Sequence, residues 1–135
     1  MELADTSAWT NRHKDPSVDR DFEERIIADE IGTCPMVAME LLWTTQDQRE
    51  FEELRRDLDA LARFPNDQDS WDRAMDVWNE LVAQGRHRQV KIPDLLIAAT
   101  AEIEGIGVCH YDADFEVIAA ITGLPVRAIA PIGSL

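Results

Sequence analysis

Glu2-Leu3-Ala4-Asp5-Thr6-Ser7-Ala8-Trp9 sets a very short apolar run against one carboxylate and two hydroxyl residues. The run reads as a strand and the hydroxyls suit a helix N-terminus, so the order is strand, acid, helix. In a central strand of a parallel sheet, Asp5 stands at the carboxyl end, where open α/β sheets bind ligands. The same order recurs downstream. Ile31-Gly32-Thr33-Cys34 reads as a second strand, and Pro35 fits the first turn of an apolar helix over Met36–Trp43 whose one acid is Glu40. Gly107-Val108-Cys109-His110-Tyr111 reads as a third strand and runs directly into Asp112-Ala113-Asp114-Phe115. A short helix to about Ile121, a Gly123-Leu124-Pro125 turn and a last strand from Val126 to Ile129 follow.

Helices fill the intervals. Ser17 to Glu30 suits an exposed amphipathic helix. Thr45-Gln46-Asp47-Gln48 fits a capping box, opening a helix with Phe51, Leu54, Leu58 and Leu61 on one stripe. Phe64-Pro65-Asn66 breaks the chain, and Asn66 or Asp67 caps a helix with Trp71, Met75, Trp78 and Val82 at helical spacing and Gly85 as its stop. Those tryptophans are read as core or helix-pair packing rather than as base-stacking platforms. Pro93 opens an almost wholly apolar helix with Asp94 in its first turn. Alternating strands and helices predict an α/β fold with a parallel sheet covered on both faces. The helical pair at about 46–84 is expected to form a protruding arm of a single domain spanning 1–135.

Composition agrees with one globular domain: 135 residues, 45% of them hydrophobic, can bury a core without disulfides. Cys34 and Cys109 lie in apolar segments without CxxC spacing, which predicts buried free thiols in a reducing compartment and argues against a zinc site. No signal peptide and no run of about eighteen apolar residues occurs, so a cytoplasmic protein with no membrane partner is expected. A net charge of −14 argues against general nucleic-acid binding, because phosphate contacts need Lys and Arg. Two local basic clusters qualify this, at Arg86, His87, Arg88 and Lys91, and at Arg12, His13 and Lys14.

Most of the 27 acids lie on polar faces, but Asp5, Glu40, Asp94 and Asp112 stand beside or within apolar segments. Two carboxylates about 4 Å apart repel by about 4 kcal/mol at an effective dielectric near 20, so such a cluster needs a cation or trapped protons. No Lys or Arg lies within the four apolar segments, although Lys91 is close to Asp94, which favours a hard divalent ion. Oxygen ligands without a Cys or His partner select Mg2+ or Mn2+ over zinc. An ion so held activates water for attack on phosphate, and phosphodiester hydrolysis is the reaction this set of groups performs. Singly, Asp5 and Asp112 also fit helix caps, Asp94 the helix dipole, and Asp114 either an auxiliary ligand or a first-turn acid.

Taken together, Asp5-Thr6-Ser7, Glu40 after Cys34-Pro35, Pro93-Asp94 opening an apolar helix, and Asp112-x-Asp114-Phe115 resemble a PIN domain, specifically the VapC toxins of bacterial toxin–antitoxin modules. The resemblance spans the whole chain. It implies a three-layer α/β/α sandwich around a mainly parallel sheet of about four to five strands. It also implies a Mg2+- or Mn2+-dependent ribonuclease whose acidic pocket is built by the residues matching Asp5, Glu40, Asp94 and Asp112, with Thr6 or Ser7 orienting the first acid. A homodimer, a cognate antitoxin whose tail plugs the pocket, and a structured RNA target such as transfer RNA are further implications. His110 departs from the family, where the position two before Asp112 is often Thr or Ser. Arg86, Arg88 and Lys91, then Arg12 and Lys14, are the candidate RNA-contacting rim. The rival readings are a PIN-like interaction module without catalysis and a haloacid dehalogenase-type phosphatase. The latter needs a second acid two residues beyond Asp5, where this chain has Ser7.

Overall fold

Leu3 and Ala4 have no solvent exposure, because β1 (Glu2–Ala4) runs through the middle of a five-stranded sheet. The structure is a computed structural model describing residues Met1–Leu135. The strands are ordered β3-β2-β1-β4-β5, with β2 Ile31–Thr33, β3 Ala62–Arg63, β4 Gly107–His110 and β5 Val126–Ala128, and every pairing is parallel. The chain builds outward from β1 through β2 to β3, then crosses back to place β4 on the other side of β1. The topological switch point, where such sheets bind ligands, therefore lies between the carboxyl ends of β1 and β4. There the Asp5 amide donates to the Cys109 carbonyl at 2.9 Å.

Strand alternation divides the core. Leu3 and Val108 face a large cluster with Val37, Leu81, Ile97 and Phe115, whereas Ala4 and Cys109 face a smaller one with Ala8, Phe22 and Ile31. The smaller face is covered by α1 (Thr6–Asn11) and α2 (Pro16–Ile27). The larger is covered by α3 (Pro35–Leu42), α4 (Gln48–Asp59), α5 (Gln68–Ala83), α6 (Ile92–Glu104) and α7 (Asp114–Thr122). The three-layer α/β/α sandwich is thus present. Cys34 and Cys109 are free and buried as expected. No helix is long and apolar enough to cross a membrane.

Four local expectations are corrected. The edge strand β3 replaces part of an expected break, and at two residues it is too short to leave a periodic signal. The cap of α4 is Asp47, which accepts from the Glu50 amide at 2.8 Å while Glu50 accepts from the Gln46 amide at 3.0 Å. Thr45 instead donates back to the Leu42 carbonyl at 2.6 Å and closes α3. On α5 the buried stripe is Ser70, Ala74, Val77 and Leu81, which leaves Trp71 44% and Met75 61% exposed and only Trp78 packed against the core. Finally, the helices expected to form an arm lie on different neighbours, α4 along α3 and α5 along α6. Asn66 caps neither of them. Its carbonyl accepts from the Met36 amide at 2.8 Å and its amide donates to Thr100 Oγ1 at 2.8 Å, fixing the start of α3 against α6.

Gly107 admits β5 at close range: a Cβ there would stand 2.8 Å from the Pro125 carbonyl oxygen, a backbone atom that cannot rotate away. Gly107→Ala is expected to destabilise the fold by roughly 1–3 kcal/mol. Urea denaturation should show a lowered midpoint with an unchanged slope.

Candidate active site

Asp5 ends β1 and caps α1 from extended backbone, accepting at Oδ2 from the Ser7 amide at 2.9 Å and from the Ser7 hydroxyl. Ser7 Oγ in turn accepts from the Tyr111 amide at 2.8 Å, tying the start of α1 to the exit of β4. Asp5 Oδ2 is therefore fully engaged, while Oδ1 is buried with no hydrogen-bond partner. Burial pushes the Asp5 carboxyl up, the Ser7 hydrogen bonds partly offset this, and the charge of Glu40 adds to it. The neighbouring hydroxyl has a different task. Thr6 Oγ1 donates to Glu40 Oε1 at 2.8 Å, drawing the half-buried acid of α3 toward the end of β1. Both candidates, Thr6 and Ser7, are thus used on different acids.

Asp94, in the first turn of α6, is 4% exposed and its Oδ2 has no hydrogen-bond partner. Asp112 leaves β4 and accepts at Oδ1 from the Asp114 amide at 2.9 Å, which opens α7. One carboxylate oxygen each from Asp94, Asp112 and Asp114 lie within 4.8 Å of one another. Asp114 is therefore closer to the cluster's centre than Glu40, which enters through Thr6. Sequence spacing offered two roles for Asp114 without deciding between them.

Lys91 is the residue whose position the sequence did not convey. Its ammonium lies 2.8 Å from Asp112 Oδ2, 2.8 Å from Asp114 Oδ2 and 3.3 Å from Asp94 Oδ2, inside the cluster rather than on an outer rim. Burial opposes its charge, but the carboxylates outweigh burial and raise its pKa. Asp114 is lowered in spite of burial, because Lys91 and Asp94 donate to it. Burial, the charge of Asp5 and the proton shared with Asp114 push Asp94 up to about 8.

His110 is wholly buried and accepts at Nδ1 from the Asp112 amide at 3.1 Å, so its neutral ring carries the proton on Nε2. It lies at 5.1 Å centroid distance from Phe115, and burial lowers its pKa. It fixes the turn that presents Asp112. Of the other basic candidates, Arg12 is taken by Asp19 and Glu23, each at 3.0 Å, and lies over the Trp9 and Phe22 rings. Lys14 and Arg88 are exposed, and Arg86 donates to Gln89 at 3.1 Å.

The donor set fits a hard divalent cation. All its ligand atoms are oxygens, and two of them, Asp5 Oδ1 and Asp94 Oδ2, are buried without hydrogen-bond partners. The position two beyond Asp5 is Ser7, committed to Asp5 itself, so the second acid of a haloacid dehalogenase-type site is absent.

The PIN domain profile matches residues 3–121, from β1 through α7. The chain belongs to the PIN domain family. Within it the chain is 43% identical over 133 residues to Ribonuclease VapC18 of Mycobacterium tuberculosis, covering 97% of this chain and 96% of that protein. It is 38% identical over 135 residues to Ribonuclease VapC21 of the same species, covering 98% and 96%. Among solved structures, DNA-bound VapBC from Salmonella typhimurium superposes with a TM-score of 0.76 at 19% identity, over 96% of this chain and 100% of that one. A toxin-antitoxin complex from Klebsiella pneumoniae superposes with a TM-score of 0.73 at 20% identity, over 98% and 100%. At those identities the superpositions speak for the fold. The PIN fold and the VapC kinship expected from the four acidic motifs are both present.

Asp94 of this PIN domain holds its proton far above the ordinary value of 3.8, so its contribution to stability is complete below that pH and is lost as pH rises toward 8. Asp94→Asn removes that loss. Without divalent ions, its melting temperature relative to the parent should be higher at pH 8 than at pH 5, by roughly 5 °C.

Proposed function

We propose that this PIN-domain protein is a metal-dependent endoribonuclease, the toxin of a toxin–antitoxin module, acting on RNA phosphodiester bonds. The observation that carries this reading is the gathering of one oxygen each from Asp94, Asp112 and Asp114 within 4.8 Å of one another, close enough to Asp5 for its charge to act on Asp94, with Asp5 Oδ1 buried and without a hydrogen-bond partner. Asp5, Asp94 and Asp112, with Asp114 beside them and Glu40 on Thr6, are the residues that would hold Mg2+ or Mn2+. When bound, the ion supplies an activated water and neutralises charge on the scissile phosphate.

The chain's own groups do the rest. Ser7 holds Asp5 in one rotamer, so that Oδ1 points where Oδ2 does not. Thr6 holds Glu40 by a 2.8 Å hydrogen bond, and in this reading Glu40 accepts a proton from water. His110 and the Asp114 amide fix both ends of the Asp112 turn. No side-chain nucleophile is required. Arg86 and Arg88 precede Lys91 and α6, and support RNA backbone contact at the pocket's edge.

The partner in this reading is the antitoxin. A groove of about 910 Å³ between α3 and α4 is lined by Ala38, Met39, Leu42, Trp43, Phe51 and Leu58, and it begins at Thr33 and Cys34, at the carboxyl end of β2. Trp43 is 87% and Met39 69% exposed. The groove also carries Arg55, Asp59 and Arg63, and its apolar lining suits the apolar face of an amphipathic helical segment. The reading also carries a homodimer, which the exposed Trp71, Met75 and Val82 of α5 support.

Asp5→Asn and Asp94→Asn should each lower the cleavage rate on RNA by roughly a hundredfold or more with far-UV circular dichroism unchanged. Full activity in either would overturn the assignment. Trp43→Ala should weaken capture by the co-expressed antitoxin while leaving cleavage by the free protein intact, read by calorimetry and gel assay on the same preparation.

A further inference from the structure

We propose that Lys91 is a tethered cation, which occupies the Asp94, Asp112 and Asp114 cluster until a divalent ion displaces it and so sets the ion concentration at which the site loads. The inference rests on the ribonuclease reading above and adds to it a built-in competitor.

Three observations carry it. The Lys91 ammonium makes 2.8, 2.8 and 3.3 Å contacts to one oxygen on each of three carboxylates, and no other Lys or Arg is ion-paired with any of them. It therefore stands in the space those oxygens share. The second observation is an asymmetry in exposure. Side-chain exposure is 61% for Lys91, against 6% for Asp94, 24% for Asp112 and 14% for Asp114, so the stem lies in water and its head reaches inward. Third, the Lys91 backbone has an anchor apart from its head: its carbonyl accepts from the Leu95 amide at 3.3 Å, while its amide donates at 3.1 Å to Asp114 Oδ2, the oxygen the head also contacts. The side chain can swing while the start of α6, and with it Asp94, stays in place.

Mutual exclusion follows from chemistry. A hard divalent ion draws carboxylate oxygens to about 2.1 Å, which leaves no room for an ammonium on the same atoms and sets two positive charges within a few ångströms of each other. Without an ion, Lys91 supplies the charge that keeps three acids from driving the switch point apart. With an ion, the freed ammonium stands at the pocket mouth. A PIN site lacking this lysine would load at lower ion concentration and be less stable when empty.

The test combines calorimetric titration of Mn2+ into the full chain and Lys91→Met with 1H–15N spectra of the lysine ammonium groups during Mg2+ addition. Lys91→Met should bind Mn2+ roughly tenfold more tightly or better and melt at lower temperature without ion. The ammonium signal missing from Lys91→Met should be present in the ion-free parent and should shift or vanish as Mg2+ binds. Equal Mn2+ affinity in the two proteins overturns the proposal. So does an ammonium signal that Mg2+ leaves in place, because Lys91 then shares the site rather than yielding it. If Lys91→Met does not fold, the parent's ammonium spectrum decides alone. Failure of either ion to bind the parent would sink the ribonuclease reading and this inference together.

Discussion

Carboxylates that must stand close together in a partly dry crevice repel one another, and the arrangement around β1 and β4 is organised to contain that repulsion. Asp5 is held by Ser7, Glu40 by Thr6, Asp112 by the Asp114 amide, and Asp94, Asp112 and Asp114 by the Lys91 ammonium. None of these partners is far from the acid it serves in three dimensions, but they come from β1, α1, α3, α6 and the β4 exit. The parallel topology makes this possible, because it brings the carboxyl ends of neighbouring strands to one edge. Buried ion pairs are often no more stabilising than well-fitted hydrocarbon of similar volume. In the proposed reading these acids mark the place where stability is given up for chemistry.

Much of this was legible in the sequence, and the parts that were not share a cause. Short apolar runs ending in an acid declared β1 and β4, and one ending at Cys34-Pro35 declared β2, because a strand's end and the following helix's start lie in one continuous stretch. The α5 face was misread because its sequence holds two interleaved apolar stripes at helical spacing. The fold buries the one with small residues, Ser70 and Ala74, since α5 lies close along α6, and leaves Trp71 and Met75 outside. Periodicity measures the presence of a stripe, not which stripe meets a neighbour. The position of Lys91 was hidden for a related reason. Its nearness to Asp94 is local, but Asp112 and Asp114 lie 21 and 23 residues away, and only the pairing of α6 with the end of β4 brings them to its head.

His110 shows how a departure from a family's pattern can be absorbed. A hydroxyl at that position would be a small donor and acceptor in the turn before Asp112. The imidazole fills more space, stacks on Phe115, and offers Nδ1 as the acceptor for the Asp112 amide. Burial favours the neutral ring that this hydrogen bond requires, so packing and protonation state reinforce each other. The protonated ring would lose the Nδ1 acceptor and release the turn.

A chain of net charge −14 that acts on RNA meets its substrate against its own field. The local balance at the pocket differs from the total. Asp5, Glu40, Asp94, Asp112 and Asp114 carry at most five negative charges, Lys91 returns one, and the proton held on Asp94 removes another. What remains is an excess of negative charge that a divalent ion reduces. In the proposed mechanism, loading the ion therefore lowers the electrostatic barrier to admitting a polyanion. Few phosphates outside the pocket would be neutralised by the sparse Arg86 and Arg88 rim, so RNA affinity should depend only weakly on monovalent salt. Discrimination among RNAs would then rest on the shape that fits the pocket mouth rather than on total charge, because charge beyond the pocket contributes little attraction.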